Sequence, residues 1–304
     1  MHWLRLCAWL VPVLWLCLAL SGCSFARLSY QHFPTLAYWQ IDRHLDLDSE
    51  QKAMVSAHLD ALQAWHRREQ LAGVGEFLRQ VESAAGGSPD ASQIRAWRGR
   101  VAQAWEALAD RMAPAVAQLG PTLRPEQLRS MRERFARANQ KFRDEYLPGD
   151  PEAVARARAE RWIKRASFFL GDLSKAQARE LRQQAAQLGS SEAAWLAERE
   201  ARQQRLAQLL ERLSAEKPAP AQAIELSRQM LRGYWKLDDS PRRALLERSI
   251  AASDALAARI LAQADDGQRR YLSSKLRAYR IDAQELAGSA QPPPVETGSQ
   301  SPRT

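Results

Sequence analysis

The sequence predicts an all-α protein, a multi-helix bundle of about eight to ten mostly antiparallel helices. Two observations carry this. Val, Ile and Thr together supply only 20 of 304 residues, far fewer than a sandwich, barrel or large parallel sheet draws on. The apolar residues fall instead at spacings of three and four between short breakers, and short connections favour antiparallel neighbours. With 14 Gly and 15 Pro the chain is neither collagen-like nor a linker protein. It is long enough to bury a sizeable core without a disulfide framework.

At the start, His2, Trp3 and Arg5 precede an apolar run from Leu6 to Leu20. A membrane span needs about 20 residues, so this shorter run reads as the core of a secretory signal. The tetrapeptide Leu20-Ser21-Gly22-Cys23 that follows resembles a bacterial lipobox. The resemblance implies a lipoprotein signal peptide over 1–22, lipidation at Cys23, and a short lipidated tether over 23–27. Several acyl chains attach a protein stably to a membrane. Ser24 stands where enterobacterial lipoproteins kept in the inner membrane often carry Asp. Its presence points to the outer membrane, with the chain facing the periplasm and the inner membrane as the lesser alternative. A plain signal peptide or an uncleaved anchor is the blander reading. Cys7 and Cys17 fall within the signal, so the mature chain has no thiol for cysteine catalysis, iron–sulfur clusters or zinc–thiolate sites.

Helix starts recur along the mature chain. Leu47-Asp48-Ser49-Glu50-Gln51, Leu123-Arg124-Pro125-Glu126-Gln127, Leu173-Ser174-Lys175-Ala176-Gln177 and Ala264-Asp265-Asp266-Gly267-Gln268 open four blocks of helical periodicity. Asp48, Ser174 and Asp265 stand three residues before Gln, the spacing of a capping box. Arg124 leaves the second box incomplete, and Pro125 at the first helical position compensates. Ser240-Pro241 is a fifth start. The second block buries a stripe of Leu128, Met131, Phe135, Phe142 and Tyr146 under a charged outer face. The third repeats it with Leu173, Leu181, Ala185 and Leu188. Residues 221–231 and 244–261 read the same way. Breakers stand at 85–90, 120–122, 147–151 and 217–220, none long enough to demand two domains. A single helical domain is therefore expected over 28–287, and a disordered Gly-, Ser- and Pro-rich tail over 288–304.

Several constellations invite a chemical reading. His32, His44, His58 and His66 lie close together in sequence, but without the spacing of a helical zinc site. No nucleophile elbow, phosphate loop or dinucleotide fingerprint is present, so no catalytic residue, metal or cofactor is assigned. Asp42, Trp65, His66 and Arg67 form a candidate binding or structural cluster, with Asp42 expected to pair with Arg67 or Arg68 across a folded clasp. Trp65 and Trp162 are expected to be core anchors. Arg158, Trp162 and Arg165 share one helical face, with Arg161 beside it. Arg158, Arg161 and Arg165 are therefore candidate anion-binding residues, their stems over the core rim and their charges at the boundary. The export signal turns this basic surplus away from nucleic acid and toward anionic envelope lipids or an acidic envelope protein. A merely solvated face is the plainer alternative.

The order of Tyr30, Trp39, Asp42, Leu45-Asp46-Leu47, Glu50-Gln51 and Trp65-His66-Arg67 with Glu69 resembles an uncharacterised helical lipoprotein family of gammaproteobacteria, a domain of unknown function. Asn139 with Phe142, Trp162 before Gly171-Asp172-Leu173, and 268–279 extend the resemblance over most of the mature chain. Arg124 and Gly267 depart from it at cap positions. The resemblance implies no activity. The block starts also resemble, more weakly, the Leu-Thr-x-x-Gln phrase of small helical periplasmic chaperones. The expected function is a lipid-anchored, periplasm-facing binding or scaffold module. The alternatives are a helical envelope hydrolase with a site assembled from distant residues, and a chaperone-like protein.

Overall fold

Side-chain caps at Asp48, Asp90, Asp150, Ser174 and Asp265 start five of the twelve described helices, and long-range contacts between the cap glutamines tie distant helices together. The computed structural model describes residues 21–238 and 240–288, with side chains from residue 26 onward. Most of the expected signal peptide and tail, and the side chain of Cys23, lie outside the described residues. The described residues form twelve α-helices and no strand: α1 (Ser21–Gln31), α2 (Phe33–Leu45), α3 (Ser49–Glu69), α4 (Leu71–Ala85), α5 (Ala91–Leu119), α6 (Pro125–Tyr146), α7 (Pro151–Leu170), α8 (Lys175–Ala186), α9 (Glu192–Glu216), α10 (Pro220–Gly233), α11 (Arg243–Ala262) and α12 (Asp266–Gly288). No described helix is long and apolar enough to cross a membrane.

The all-α class is as expected, and the helix count lies slightly above eight to ten. Part of the excess comes from a break with weak local punctuation, at Gln70. Asp46 ends α2 in the left-handed conformation, at φ 48°, and Gln70 alone separates α3 from α4. At Ser240-Pro241 the chain makes a turn first, with Arg243 N donating to Ser240 O at 2.9 Å, and α11 starts at Arg243.

The three complete boxes expected from the sequence all close, and the one expected to be incomplete, at Arg124, stays so. Asp48 and Gln51 bond reciprocally at 3.0 and 3.1 Å, Ser174 and Gln177 at 3.1 and 2.9 Å, and Asp265 and Gln268 at 2.8 and 3.1 Å. At the fourth, Gln127 Oε1 accepts from Arg124 N at 2.9 Å. The return bond is missing because a guanidinium has no acceptor. Arg124 instead donates to Asp48 Oδ2 at 2.6 Å, across to the other cap.

The four glutamines also meet two by two. Gln127 Nε2 donates to Gln51 Oε1 at 2.7 Å, with the return bond at 3.3 Å. Gln51 Nε2 also reaches Thr122 O at 2.9 Å, and Gln127 Nε2 reaches Asp46 O at 3.0 Å. Gln177 and Gln268 repeat the exchange at 2.9 and 3.0 Å. Each pair pins two helix N-termini whose glutamines are 76 or 91 residues apart in sequence. Gln51 and Gln127 are only 1% and 3% exposed, so each needs the other. Gln51→Ala is expected to cost about 2 kcal/mol, by losing the cap and leaving the buried Gln127 amide short of a partner. Urea denaturation measures this; wild-type stability would make the pair incidental.

A core lies beside each pair. Leu45, Val55, Leu59, Leu123, Met131 and Leu210 pack around the first. Trp162, Leu181 and Leu256 form a cluster near the second, adjoined by Leu170, Leu272 and Leu276. The two regions interleave: α5 packs on α10, α11 and α3, α9 on α6, and α4 along α12. Gly120 permits the closest approach, since a Cβ there would stand 2.6 Å from Leu213 Cβ.

Candidate functional site

The predicted clasp is only partly assembled. Tyr30 Oη lies 2.8 Å from His66 Nδ1, and the Arg67 guanidinium lies over the Tyr30 ring. Burial raises the Tyr30 pKa, with Arg67 opposing it, and lowers that of His66. Trp65 is 6% exposed and donates from Nε1 to Glu69 Oε2 at 2.6 Å, as a core anchor would. Asp42 stands apart and does not pair with Arg67 or Arg68. Its Oδ1 accepts from Leu47 N at 2.9 Å, and its nearest cation is Lys52, at 3.8 Å. The end of α2 is a tight turn whose Leu47 N–H needs an acceptor, and this takes the carboxylate. His44 and His58 bond to Gln40 O and Gln118 Oε1. No three His, Cys, Asp or Glu among the described residues could hold a metal ion together.

The basic helix builds a more substantial site. Gly149 at φ 94° turns the chain after Pro148, and Asp150 caps α7 by accepting from Glu152 N at 2.8 Å. These set the register in which Arg158, Arg161, Trp162 and Arg165 face a cavity of about 410 Å³. Phe142 and Tyr146 of α6 form a second wall, and Trp195, Arg199 and Arg202 of α9 a third. Glu192 and Glu198, also on α9, complete the charges.

Arg158 does not show its charge at the boundary, as the sequence suggests. Its side chain is 10% exposed and that of Glu192 8%. Nε and Nη2 donate to the two Glu192 carboxylate oxygens at 2.7 and 2.9 Å, and Nη1 donates to Leu188 O. Burial pushes the Glu192 carboxyl up, but Arg158 and backbone N–H groups outweigh it and hold the pKa below the ordinary value. The physical reason for the correction is the neighbouring helix, whose first residue brings an acid against the arginine.

The other guanidiniums are less committed. Arg161 stacks 4.2 Å from the Tyr146 ring centroid and reaches Glu192 Oε1 at 3.3 Å. Arg202 donates to Glu198 Oε1 at 2.8 Å. Arg165 lies over the Trp162 ring at 5.0 Å. Arg199 donates from Nε to Asn139 Oδ1 at 2.8 Å and lies over Phe142. Neither Arg165 nor Arg199 has a carboxylate partner among the described residues. Five arginines therefore face two glutamates across an aromatic-lined cleft. Such guanidiniums can hold an anion by charge-assisted hydrogen bonds.

The candidates read from α7 alone omit Trp195, Arg199, Arg202 and Glu192. A signal for them exists in the sequence: residues 192, 195, 199 and 202 recur at helical spacing and place an acid, an indole and two guanidiniums on one face. Nothing local says that this face meets α7.

The sequence model of a family described as "Family of unknown function (DUF6279)" matches residues 43–230. The match includes all five cleft arginines and three of the four paired glutamines, and stops short of Gln268. No curated protein and no solved structure matches the chain.

Proposed function

The chain belongs to the family of unknown function DUF6279, and we propose that it is a lipid-anchored binding module of the bacterial envelope whose ligand site is the arginine–aromatic cleft between α6, α7 and α9. The ligand presents an anionic group. The observation that carries the reading is the imbalance in the cleft, where Arg165 and Arg199 face the cavity with no carboxylate partner among the described residues. Binding is favoured over hydrolysis because both cleft acids are paired with arginines. Glu192 has both oxygens on Arg158, and Glu198 lies against Arg202, Arg205 and Arg242. The binding-module reading is preferred to the chaperone-like alternative because the box glutamines are bonded to one another.

The anchor is the lipobox Leu20–Cys23, and the address proposed from Ser24 is the periplasmic side of the outer membrane. Metabolic acyl labelling should mark the wild type and leave Cys23→Ala unlabelled; equal labelling would remove the anchor from the reading. For the cleft, calorimetric titration of the full chain in neutral lipid nanodiscs with inorganic phosphate should show saturable binding. That binding should weaken from low to physiological salt, as screening requires. No binding even at low salt would refute the cleft as an anion site.

A further inference from the structure

A second cavity, of about 270 Å³, adjoins the arginine cleft, and Trp162 and Arg165 line both. Its other walls come from α4, α5, α7, α11 and α12, among them Trp97, Ala166, Phe169, Ala257 and Leu272. Arg165 is the only charged residue in that lining. A closed apolar cavity of about 150 Å³ already accepts benzene, so this space is ample for several methylene groups. Phe168 and Phe169 are 52% and 39% exposed, and Phe169 carries the apolar wall to the surface.

We propose that the ligand of this site is an anionic amphiphile, a single alkyl chain ending in an anionic head. The head sits in the arginine cleft on Arg165 and Arg199, and the chain passes Trp162 into the apolar cavity. This rests on the reading of the cleft as an anion site and adds the tail. The physical case is the change of character across one shared wall. On one side guanidiniums outnumber carboxylates, and on the other an apolar space carries a single cation at its edge. Arg165 stands at the boundary, with its guanidinium over the indole that lines both. A small inorganic anion would leave the apolar cavity unused, and a neutral hydrocarbon would leave the arginines unanswered.

The test is titration of the full chain in neutral nanodiscs with methyl phosphate and octyl phosphate, corrected with empty discs. Octyl phosphate is expected to bind at least tenfold more tightly, because its chain leaves water. Ala257→Trp fills the apolar cavity and should abolish that advantage while methyl phosphate binding persists. Phe169→Ser, at an exposed position, should reduce the advantage and serves if Ala257→Trp does not fold. Equal affinities for the two phosphates in the wild type would overturn the amphiphile and leave the anion cleft standing. An undiminished octyl advantage in both variants would place the chain elsewhere and also overturn it. Absence of binding by either phosphate would refute the cleft itself, and the amphiphile with it.

Discussion

Glu192→Ala is expected to destabilise the folded chain by about 3–5 kcal/mol, the range for removing one partner of a buried ion pair. The truncation removes the two bonds of 2.7 and 2.9 Å that answer the Arg158 guanidinium. Arg158 is itself only 8% exposed, so water does not replace what is lost. Glu192→Gln keeps the shape and one acceptor and should cost less. Urea denaturation of the two variants separates charge from packing. The pH dependence has a definite sign. The folded pKa of Glu192 lies below its ordinary value of 4.5, so its contribution is fully present above that pH. It is lost as pH falls through the folded value. The stability gap between wild type and Glu192→Gln should therefore narrow on acidification below about 4.5. A gap that stays constant down to pH 2 would mean the pair contributes nothing through charge.

Trp162→Ala is expected to cost about 3 kcal/mol, the lower end of the range for large aromatic truncations. The indole is 9% exposed and packs with Ala159, Ala166 and Leu181. The figure lies at the low end because the ring already borders two cavities and has fewer neighbours to lose. The substitution also widens the space where those cavities meet and removes the ring beneath Arg165. Thermal unfolding followed by circular dichroism measures the loss. Near-wild-type stability with impaired phosphate binding would make Trp162 a ligand-contacting wall and not a core anchor.

The two variants illustrate what could be read from the chain alone. Helix starts are written locally: Asp48 with Gln51, and Ser174 with Gln177, satisfy orphan amides within three residues, so their spacing announces them. What the same glutamines do with their remaining donors is not local. Gln51 finds Gln127, and Gln177 finds Gln268, only after distant helices have docked. Trp162 was legible as a buried residue because its apolar neighbours recur at helical spacing. Arg158 was legible as one of a set with Arg161 and Arg165, but not as buried. Its partner Glu192 belongs to another helix, and a one-helix pattern does not say which face a second helix covers. The break after Asp46 was legible from the cap at Asp48, while the break at Gln70 was hidden because Gln70 is neither the Gly nor the Pro that usually marks such a turn. The clasp was half legible: Tyr30, His66 and Arg67 do meet, while Asp42 is drawn to the nearer backbone donor of Leu47.

The central claim is that the cleft binds an anion through the arginines that lack acidic partners. The most direct measurement compares phosphate titrations of three full-length chains in neutral nanodiscs at low salt. These are the wild type, Arg165→Gln/Arg199→Gln, and Arg95→Gln/Arg129→Gln, which removes the same charge from exposed positions outside the cleft. The account predicts that the cleft variant loses at least tenfold in affinity while the control variant stays within about twofold of wild type, the residue of long-range screening. Equal losses in both variants would reduce the effect to net charge, and undiminished binding in the cleft variant would contradict the assignment of the site.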